Sequence, residues 1–238
     1  MSFSLFSFDG LMFVLRWLHF FFGVMWIGHL YYFNFTHGSF MAEADAATKP
    51  GVIQKLLPRA LWWFQFGAVW TFITGLVILG AKGHQAGTMG VYTSSWGISI
   101  LIGALFGTTM FLNVLMVIMP NQRVVIKSAT QVAGGGAAIP EAPACGAKAL
   151  LASRTNTLLS FPMLFFMGAA SHLPLAVTPE SKLGLLWAVV GLIWAGIEFN
   201  ALKGKLGPLA TVKGVIHAGV GLTVLLYVIV ELCLHIVI

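Results

Sequence analysis

Residues 11–33 read "LMFVLRWLHFFFGVMWIGHLYYF", an apolar run in which the strongly polar side chains are Arg16, His19 and His29. About 20 apolar residues in a helix cross the roughly 30 Å of hydrocarbon in a bilayer. Because hydrocarbon offers no partner to backbone N–H and C=O groups, a spanning segment of this kind is helical. We therefore predict a transmembrane helix over 11–33. Its three polar side chains are costly in lipid, which indicates that they bind something.

The composition extends this prediction to the whole chain. Of 238 residues, 58% are hydrophobic and 8% are charged, and the mean hydropathy is +0.91. This is too little charge to cover the surface of a soluble protein. We predict an all-α polytopic membrane protein, a six-transmembrane-helix bundle with a single membrane domain over 1–238. The six predicted spans are 11–33, 60–80, 97–119, 158–177, 184–202 and 214–236. The first span is too long and too aromatic for a cleaved signal peptide.

The basic residues predict the orientation of the bundle. With six spans, the loops 34–59, 120–157 and 203–213 share one side of the membrane and carry ten Lys and Arg residues, whereas the loops on the other side carry Lys82 and Lys182. The positive-inside rule makes the first side cytoplasmic, so both termini are predicted to be periplasmic, in a bacterial inner (cytoplasmic) membrane. The net charge of +6 is thus a topology signal, and no nucleic acid is expected as a partner.

The connection between the third and fourth spans is predicted to be flexible. Residues 120–157 include "QVAGGGAAIPEAPACGAK", a small-residue stretch typical of a flexible cytoplasmic linker. Gly103 and Gly107 in the third span form a G-x-x-x-G pattern, which either lets two helices approach closely or is a chance match in a glycine-rich chain. Cys145 and Cys233 are predicted on opposite sides of the membrane, and the sequence has no C-x-x-C-H motif. Any haem is therefore expected to be bound non-covalently.

Four histidines fall into two layers of the predicted bundle. His19 lies about 4 to 5 Å, and His172 about 7 Å, to the outer side of its span's centre, whereas His29 lies about 10 Å and His217 about 12 Å toward the inner side. Each layer joins two helices, as a haem b with one imidazole on each face requires. We predict His19 and His172 as axial ligands of a haem iron, with His29 and His217 as the pair for a second haem if two bind. Hydrogen bonding between helices is the alternative role.

Two kinds of residue surround these layers. Arg16 is predicted to bind haem propionates, to pair with Glu231, or to extend to the outer interface. Glu198, in the inner half of the fifth span, either takes up protons or pairs with a nearby lysine. The aromatic residues of "LWWFQF", 61–66, are typical of an interfacial belt on the cytoplasmic side, with a quinone ring as an alternative stacking partner.

Several motifs together resemble a known family. In this order, "LRWLHFFFGVMWIGHLYYFNF", "WWFQFGAVWTFITG", "MPNQRVVI" and "SRTNTLLSFPMLFFMGAASHLP" are similar to the membrane domain of PuuD-type urate oxidases, or urate hydroxylases. The resemblance covers residues 11–177 and implies that His19 and His172 are the functional histidines. It also implies a diverged member without the C-terminal cytochrome c domain that many members carry. The second motif departs from the family at several positions, including Gly67, where family members have polar side chains.

Three functions follow from these observations. The first is a haem b electron-transfer subunit that passes electrons between quinone or a redox partner and a periplasmic cytochrome c. The second is a urate-oxidase-like membrane hydroxylase, an oxidoreductase that uses a separate cytochrome c. The third is a non-redox scaffold subunit of a membrane complex, in which hydrogen bonds satisfy the histidines. All three place the chain in a lipid bilayer and allow further membrane subunits as partners.

Overall fold

The computed structural model describes residues 4–235, and the regular structure of these residues is helical, without strands. Six long helices follow one another along the chain. They are α1 (Phe8–Glu43), α2 (Thr48–Ala86), α3 (Ser95–Ala133), α4 (Ala142–His172), α5 (Leu183–Lys203) and α6 (Val212–His235). Short 3₁₀ turns lie at Ser4–Phe6, Met89–Thr93 and Gly207–Ala210.

Five of the six helices are long and apolar enough to cross a membrane: α1, α2, α3, α5 and α6. The chain is therefore a multi-pass membrane protein, and the predicted all-α membrane bundle is confirmed. Helix α4 has 31 residues, enough to span a bilayer, but polar side chains make it less apolar than the other five. The sixth span, the single domain and the periplasmic position of both termini stay predictions.

The predicted flexible loop over 120–157 is wrong. Helix α3 continues to Ala133 and α4 begins at Ala142, so the non-helical connection is residues 134–141. Polar side chains made this part of the sequence resemble a loop, but residues in the extension of α3 beyond Pro120 include no helix breaker. Helix α3 then ends at three consecutive glycines, residues 134–136, where Gly135 adopts φ 85°, which is open to glycine and unfavourable for other residues.

Each of the first three helices contains a π-helical segment. These segments are Tyr32–His37 in α1, Val52–Leu56 in α2 and Val114–Ile118 in α3. Helix α1 continues through its segment to Glu43, ten residues beyond the predicted end of the first span, and α2 begins at Thr48. The connection predicted over 34–59 is thus mostly helical. A π segment widens one turn of a helix, and such turns are frequent at functional sites.

The remaining link between α1 and α2 is short and ordered by Asp45. The backbone N–H of Thr48, the first residue of α2, donates to a carboxylate oxygen of Asp45 over 2.7 Å. This hydrogen bond lowers the pKa of the Asp45 carboxyl below its usual value. A negative charge there also interacts favourably with the positive end of the helix dipole. Asp45 therefore fixes where α2 begins.

Contacts between residues divide the described chain into two compact units. The first unit contains the residues up to 82 together with 111–153. The second unit contains 83–110 together with the residues from 154 onward. Helices α2, α3 and α4 therefore each contribute residues to both units. The candidate histidines are divided equally, two in each unit.

In the first unit, α1 and α2 approach closely at a glycine. A Cβ atom on Gly67 would lie 2.8 Å from the backbone nitrogen of Trp26 and 3.1 Å from the carbonyl oxygen of Phe22. Side chains in van der Waals contact do not come this near, so no residue larger than glycine fits without a shift of α1. Helix α2 also packs on α3, where the rings of Phe72 and Phe111 stack with centroids 4.2 Å apart.

In the second unit, α3 packs against both α4 and α5. A Cβ atom on Gly103 would lie 2.8 Å from the side chain of Met167 in α4. Of the two interpretations of the G-x-x-x-G pattern, close approach of two helices is therefore the one that the structure supports at this glycine. The indole N–H of Trp194 in α5 donates to the hydroxyl of Thr109 in α3 over 2.8 Å. Hydrogen bonds between helices supplement van der Waals packing where lipid surrounds the helices.

Candidate functional site

His19 is held against α2 by two neighbours. Its Nδ1 lies 3.1 Å from the hydroxyl oxygen of Thr74. That hydroxyl donates its single proton to the carbonyl of Trp70 over 2.7 Å, so we infer that it accepts a hydrogen bond from His19 Nδ1–H. A Cβ atom on Gly75 would lie 3.1 Å from the imidazole ring, so this glycine makes room for the ring. The unprotonated Nε2 of His19 then remains available as a ligand or acceptor.

His29 also carries its ring proton on Nδ1, but the acceptor is a backbone carbonyl. Its Nδ1 lies 2.7 Å from the backbone carbonyl of Met25, one turn earlier in α1. Because a carbonyl oxygen only accepts, Nδ1 carries the proton and Nε2 is the acceptor. The half-buried ring tilts against Phe33, with centroids 6.4 Å apart. In both histidines of α1, an acceptor thus fixes the ring proton on Nδ1.

His172 and His217 lie in the second unit and are exposed. His172 is the last residue of α4, because this helix ends there and does not continue to residue 177 as predicted. His217 lies in the first turns of α6. Neither of these two imidazoles forms a hydrogen bond with another described residue, in contrast to His19 and His29. The pairings of His19 with His172 and of His29 with His217 stay predictions.

Two of the charged residues predicted near these histidines, Arg16 and Glu231, have partners on their own helices. Arg16 is exposed, and its Nε donates to the carbonyl of Met12 over 3.1 Å, which directs the side chain toward the N-terminal end of α1. Glu231 lies 3.3 Å from Nδ1 of His235, one turn later in α6. Glu198 is half-buried in α5. Across residues 4–235, no three or more His, Cys, Asp or Glu side chains converge on a common metal site.

Arg154 is a buried cation that the sequence pattern placed wrongly in a cytoplasmic loop. It lies in α4 within the polar run "SRTNT", residues 153–157, and is 8% exposed. Its Nη1 is buried without a hydrogen-bond partner, as is the hydroxyl of Thr155. Asn156 next to them donates to the Met110 carbonyl over 2.8 Å. The sequence did contain a signal for a polar helix core. Five consecutive polar residues directly precede an apolar run, and no glycine or proline separates the two.

A buried guanidinium without a counter-ion is energetically costly. In the part of the chain that the structure describes, no acidic side chain forms an ion pair with Arg154. Arg154 presents several N–H donors in a planar fork that matches flat anions. This part of α4 is therefore suited to bind an anion.

Asn34 is a second buried polar residue that the sequence pattern did not single out. It is 2% exposed and lies in the π segment of α1. Its amide donates to the carbonyl of Leu30 and to the hydroxyl of Ser153, both over 2.8 Å. The side chain of Asn34 thus donates to a backbone carbonyl one turn back and joins α1 to the first half of α4 within the first unit.

Comparison with known protein families gives a match that runs from the end of α2 to near the end of α6. The family described as urate oxidase N-terminal matches residues 86–229, which are 144 of the 238 residues. The chain belongs to this family. No curated protein and no solved structure matches the chain.

Membership in the urate oxidase N-terminal family confirms the resemblance noted in the sequence, with different bounds. The matched residues 86–229 begin and end later than the predicted 11–177. They include Arg154, His172 and His217, whereas His19 and His29 precede them. The protein is thus a multi-pass membrane protein related to urate oxidases, and the polar core of α4 lies in the part that carries the relationship.

Proposed function

We propose that this protein binds haem b in the bacterial inner membrane and passes electrons between quinone or a redox partner and a periplasmic cytochrome c. The observation that carries the proposal is the geometry of His19. Histidines that bind a metal generally donate their second ring N–H to a fixed acceptor, which orients the ring and makes the free nitrogen a better ligand. His19 has this arrangement through Thr74 and Gly75.

Four histidines would hold such a group. His19 and His172 would bind the iron of one haem, and His29 with His217 would hold a second haem. Arg16 would bind propionate oxygens with the guanidinium nitrogens that its bond to Met12 leaves unused. Haem iron supplies one-electron transfer, whereas the helices hold the imidazoles in orientation and exclude water. Further membrane subunits or a separate cytochrome c complete the electron path.

The test is an absorption spectrum of the purified chain, expressed with haem supply, before and after dithionite reduction. We expect a reduced b-type α-band, with pyridine haemochrome giving one or two haems per chain. In His19→Ala and in His172→Ala the band should be lost if one haem binds and halved if two bind. It should be retained in the matched control His235→Ala, whose imidazole pairs with Glu231 on its own helix. A colourless wild-type protein would overturn the proposal and favour a non-redox scaffold subunit.

A second function, urate-oxidase-like hydroxylation with a separate cytochrome c as electron acceptor, is favoured by two observations. The chain belongs to the urate oxidase N-terminal family, and Arg154 is a buried cation inside the matched region. Urate is a flat anion at neutral pH, so an uncompensated guanidinium in a helix core is a chemically suitable partner.

This second function predicts urate-dependent reduction of the bound haem under anaerobic conditions. In Arg154→Gln the urate concentration for half-maximal reduction should rise about tenfold or more, because the bound urate anion loses the guanidinium that balances its charge. Arg123→Gln, an exposed position on α3, is the matched control and should behave as wild type. A wild-type haem that urate does not reduce would exclude this function and leave the electron-transfer role.

A further inference from the structure

A groove between α1 and α2 in the first unit is not used by the proposed axial pair of His19 and His172. It has a volume of about 540 Å³ and opens widely on the outside of the two helices. Its lining is mostly apolar, with four side chains that carry polar groups. The lining residues that matter here are Val24, Gly28, His29 and Tyr32 in α1 and Arg59 and Trp63 in α2. The exposed sides of Val24 and Trp63 place the opening toward lipid.

The polar groups of the groove are arranged asymmetrically. His29 contributes an acceptor, because its Nδ1–H is occupied by the Met25 carbonyl and only Nε2 remains. Arg59, at the other helix, contributes donors. Its Nη1 donates to the Lys55 carbonyl over 2.8 Å, and the guanidinium has further N–H groups. The aromatic rings of Tyr32 and Trp63 line the same groove. A ligand that fits is flat, carries both a hydroxyl donor and an oxygen acceptor, and has an apolar tail.

We propose that this groove binds the ring of a lipid-soluble quinol. A phenolic O–H of the quinol donates to His29 Nε2, and an oxygen on the opposite side of the ring accepts from Arg59. The isoprenoid tail leaves through the open side into the bilayer. A phospholipid phosphate satisfies Arg59 but brings no donor for His29, so it fits one end of the groove and not the other. The oxidised quinone lacks the hydroxyl, and the groove therefore binds the reduced form more tightly.

The quinol uses the nitrogen of His29 that a second haem would need. Binding of a quinol in the groove and ligation of a second haem by His29 and His217 are therefore mutually exclusive. The first axial pair, His19 and His172, is unaffected. The proposal does not depend on haem at all, because each element of the groove is a residue of the first unit.

The test is anaerobic calorimetric titration of the full chain in phosphatidylcholine nanodiscs with decylubiquinol and, separately, with decylubiquinone. The wild type should bind the quinol several-fold more tightly than the quinone. His29→Leu should weaken quinol binding about five- to tenfold, as expected for one lost hydrogen bond, and abolish the preference for the reduced form.

Two further variants keep the test decisive if His29→Leu folds poorly. Gly28→Leu should block the groove, and since a Cβ at Gly28 meets no atom within 4 Å, the backbone accommodates it. Trp63→Leu should weaken binding, whereas Trp62→Leu is the matched control, because Trp62 is also exposed but does not line the groove.

Three results would overturn the proposal. Equal losses in the Trp62 and Trp63 variants would mean that the quinol only partitions among exposed aromatic residues. Equal affinity for quinol and quinone in the wild type would remove the role of His29. Weaker quinol binding when the nanodiscs contain phosphatidylglycerol, together with binding that His29→Leu does not change, would assign the groove to anionic lipid.

Discussion

At the scale of single residues, Thr74 decides what His19 can do. The hydroxyl of Thr74 donates to the Trp70 carbonyl and accepts from His19, so it fixes both the tautomer and the orientation of the imidazole. Without this acceptor the ring turns more freely, and either nitrogen can carry the proton. Thr74 thus influences the chemistry of His19 as directly as the position of His19 in the helix does.

Thr74→Val should lower the affinity of the chain for haem about tenfold, the lower end of what loss of a ligand's supporting hydrogen bond costs. Valine keeps the shape and removes the acceptor. The measurement is haem titration into haem-depleted protein, followed at the Soret band. Thr71→Val is the control, since the Thr71 hydroxyl bonds the Gly67 carbonyl. Similar losses in both variants would contradict the role of Thr74.

Depth in the spans predicted a role for His19 and His172, which stays a prediction, but it did not predict that Arg154 is buried. Depth depends on where a span begins, and the charged residue at 154 was taken as the end of a loop. Only tertiary packing shows that Arg154 is 8% exposed. Likewise, the donor role of His19 Nδ1 depends on Thr74, which is 55 residues away in the sequence. Contacts of this separation leave no periodic pattern in a single sequence.

At the scale of helices, small residues determine how closely neighbours pack. Gly67 and Gly103 each lie where a Cβ atom would be 2.8 Å from an atom of the adjacent helix. Hydrophobicity does not drive helices together inside lipid, so close packing of this kind is a principal source of their association. Gly67 lies where α1 and α2 cross. It therefore also sets how near Thr74 and Gly75 of α2 lie to His19 of α1.

Gly67→Ala should destabilise the first unit by about 1–3 kcal/mol, the usual cost of overpacking a tightly packed contact. Thermal unfolding in detergent, followed by intrinsic tryptophan fluorescence, measures the effect. Gly80→Ala in the same helix is the matched control, because a Cβ there meets no atom within 4 Å. An unchanged or higher melting temperature for Gly67→Ala would show that α1 moves away without cost.

Hydropathy predicted the centres of the helices and failed at their ends. The apolar cores of α1, α2 and α3 all lie within the predicted spans, but each helix extends through polar residues that lie beyond the apolar run. A helix continues until a residue such as Gly135 stops it, whatever the polarity of its side chains. The π segments are set by packing, and no residue type in Tyr32–His37 distinguishes them from ordinary helix.

At the scale of the whole molecule, the number of spans determines where the termini lie. Five helices are apolar enough to cross the membrane, and α4 is long enough to be a sixth. With six spans both termini share one side, and with five they lie on opposite sides. Without Arg154, which lies in α4, nine basic residues were assigned to the cytoplasmic side. All nine lie on that one side, as the positive-inside rule favours, only if α4 crosses.

We expect a C-terminal fusion to alkaline phosphatase to be active and a C-terminal fusion to green fluorescent protein to be dark, as for a periplasmic terminus. The same pair of fusions at the N-terminus should give the same result. Opposite results at the two ends would establish five spans, and a fluorescent C-terminus together with an N-terminus on the same side would invert the predicted orientation.

The polar core of α4 has a consequence for how the protein is made. On the scale of insertion by the translocon, an arginine at the centre of a helix costs about 2.5–3.5 kcal/mol, whereas each leucine or phenylalanine recovers only about 0.3–0.6 kcal/mol. If α4 is the sixth span, we expect newly synthesised α4 to insert poorly on its own. We expect it to enter beside α3, which is synthesised earlier and offers the Met110 carbonyl to Asn156. The order in which the ribosome delivers the helices would then be part of what allows a charged helix to reach the membrane interior.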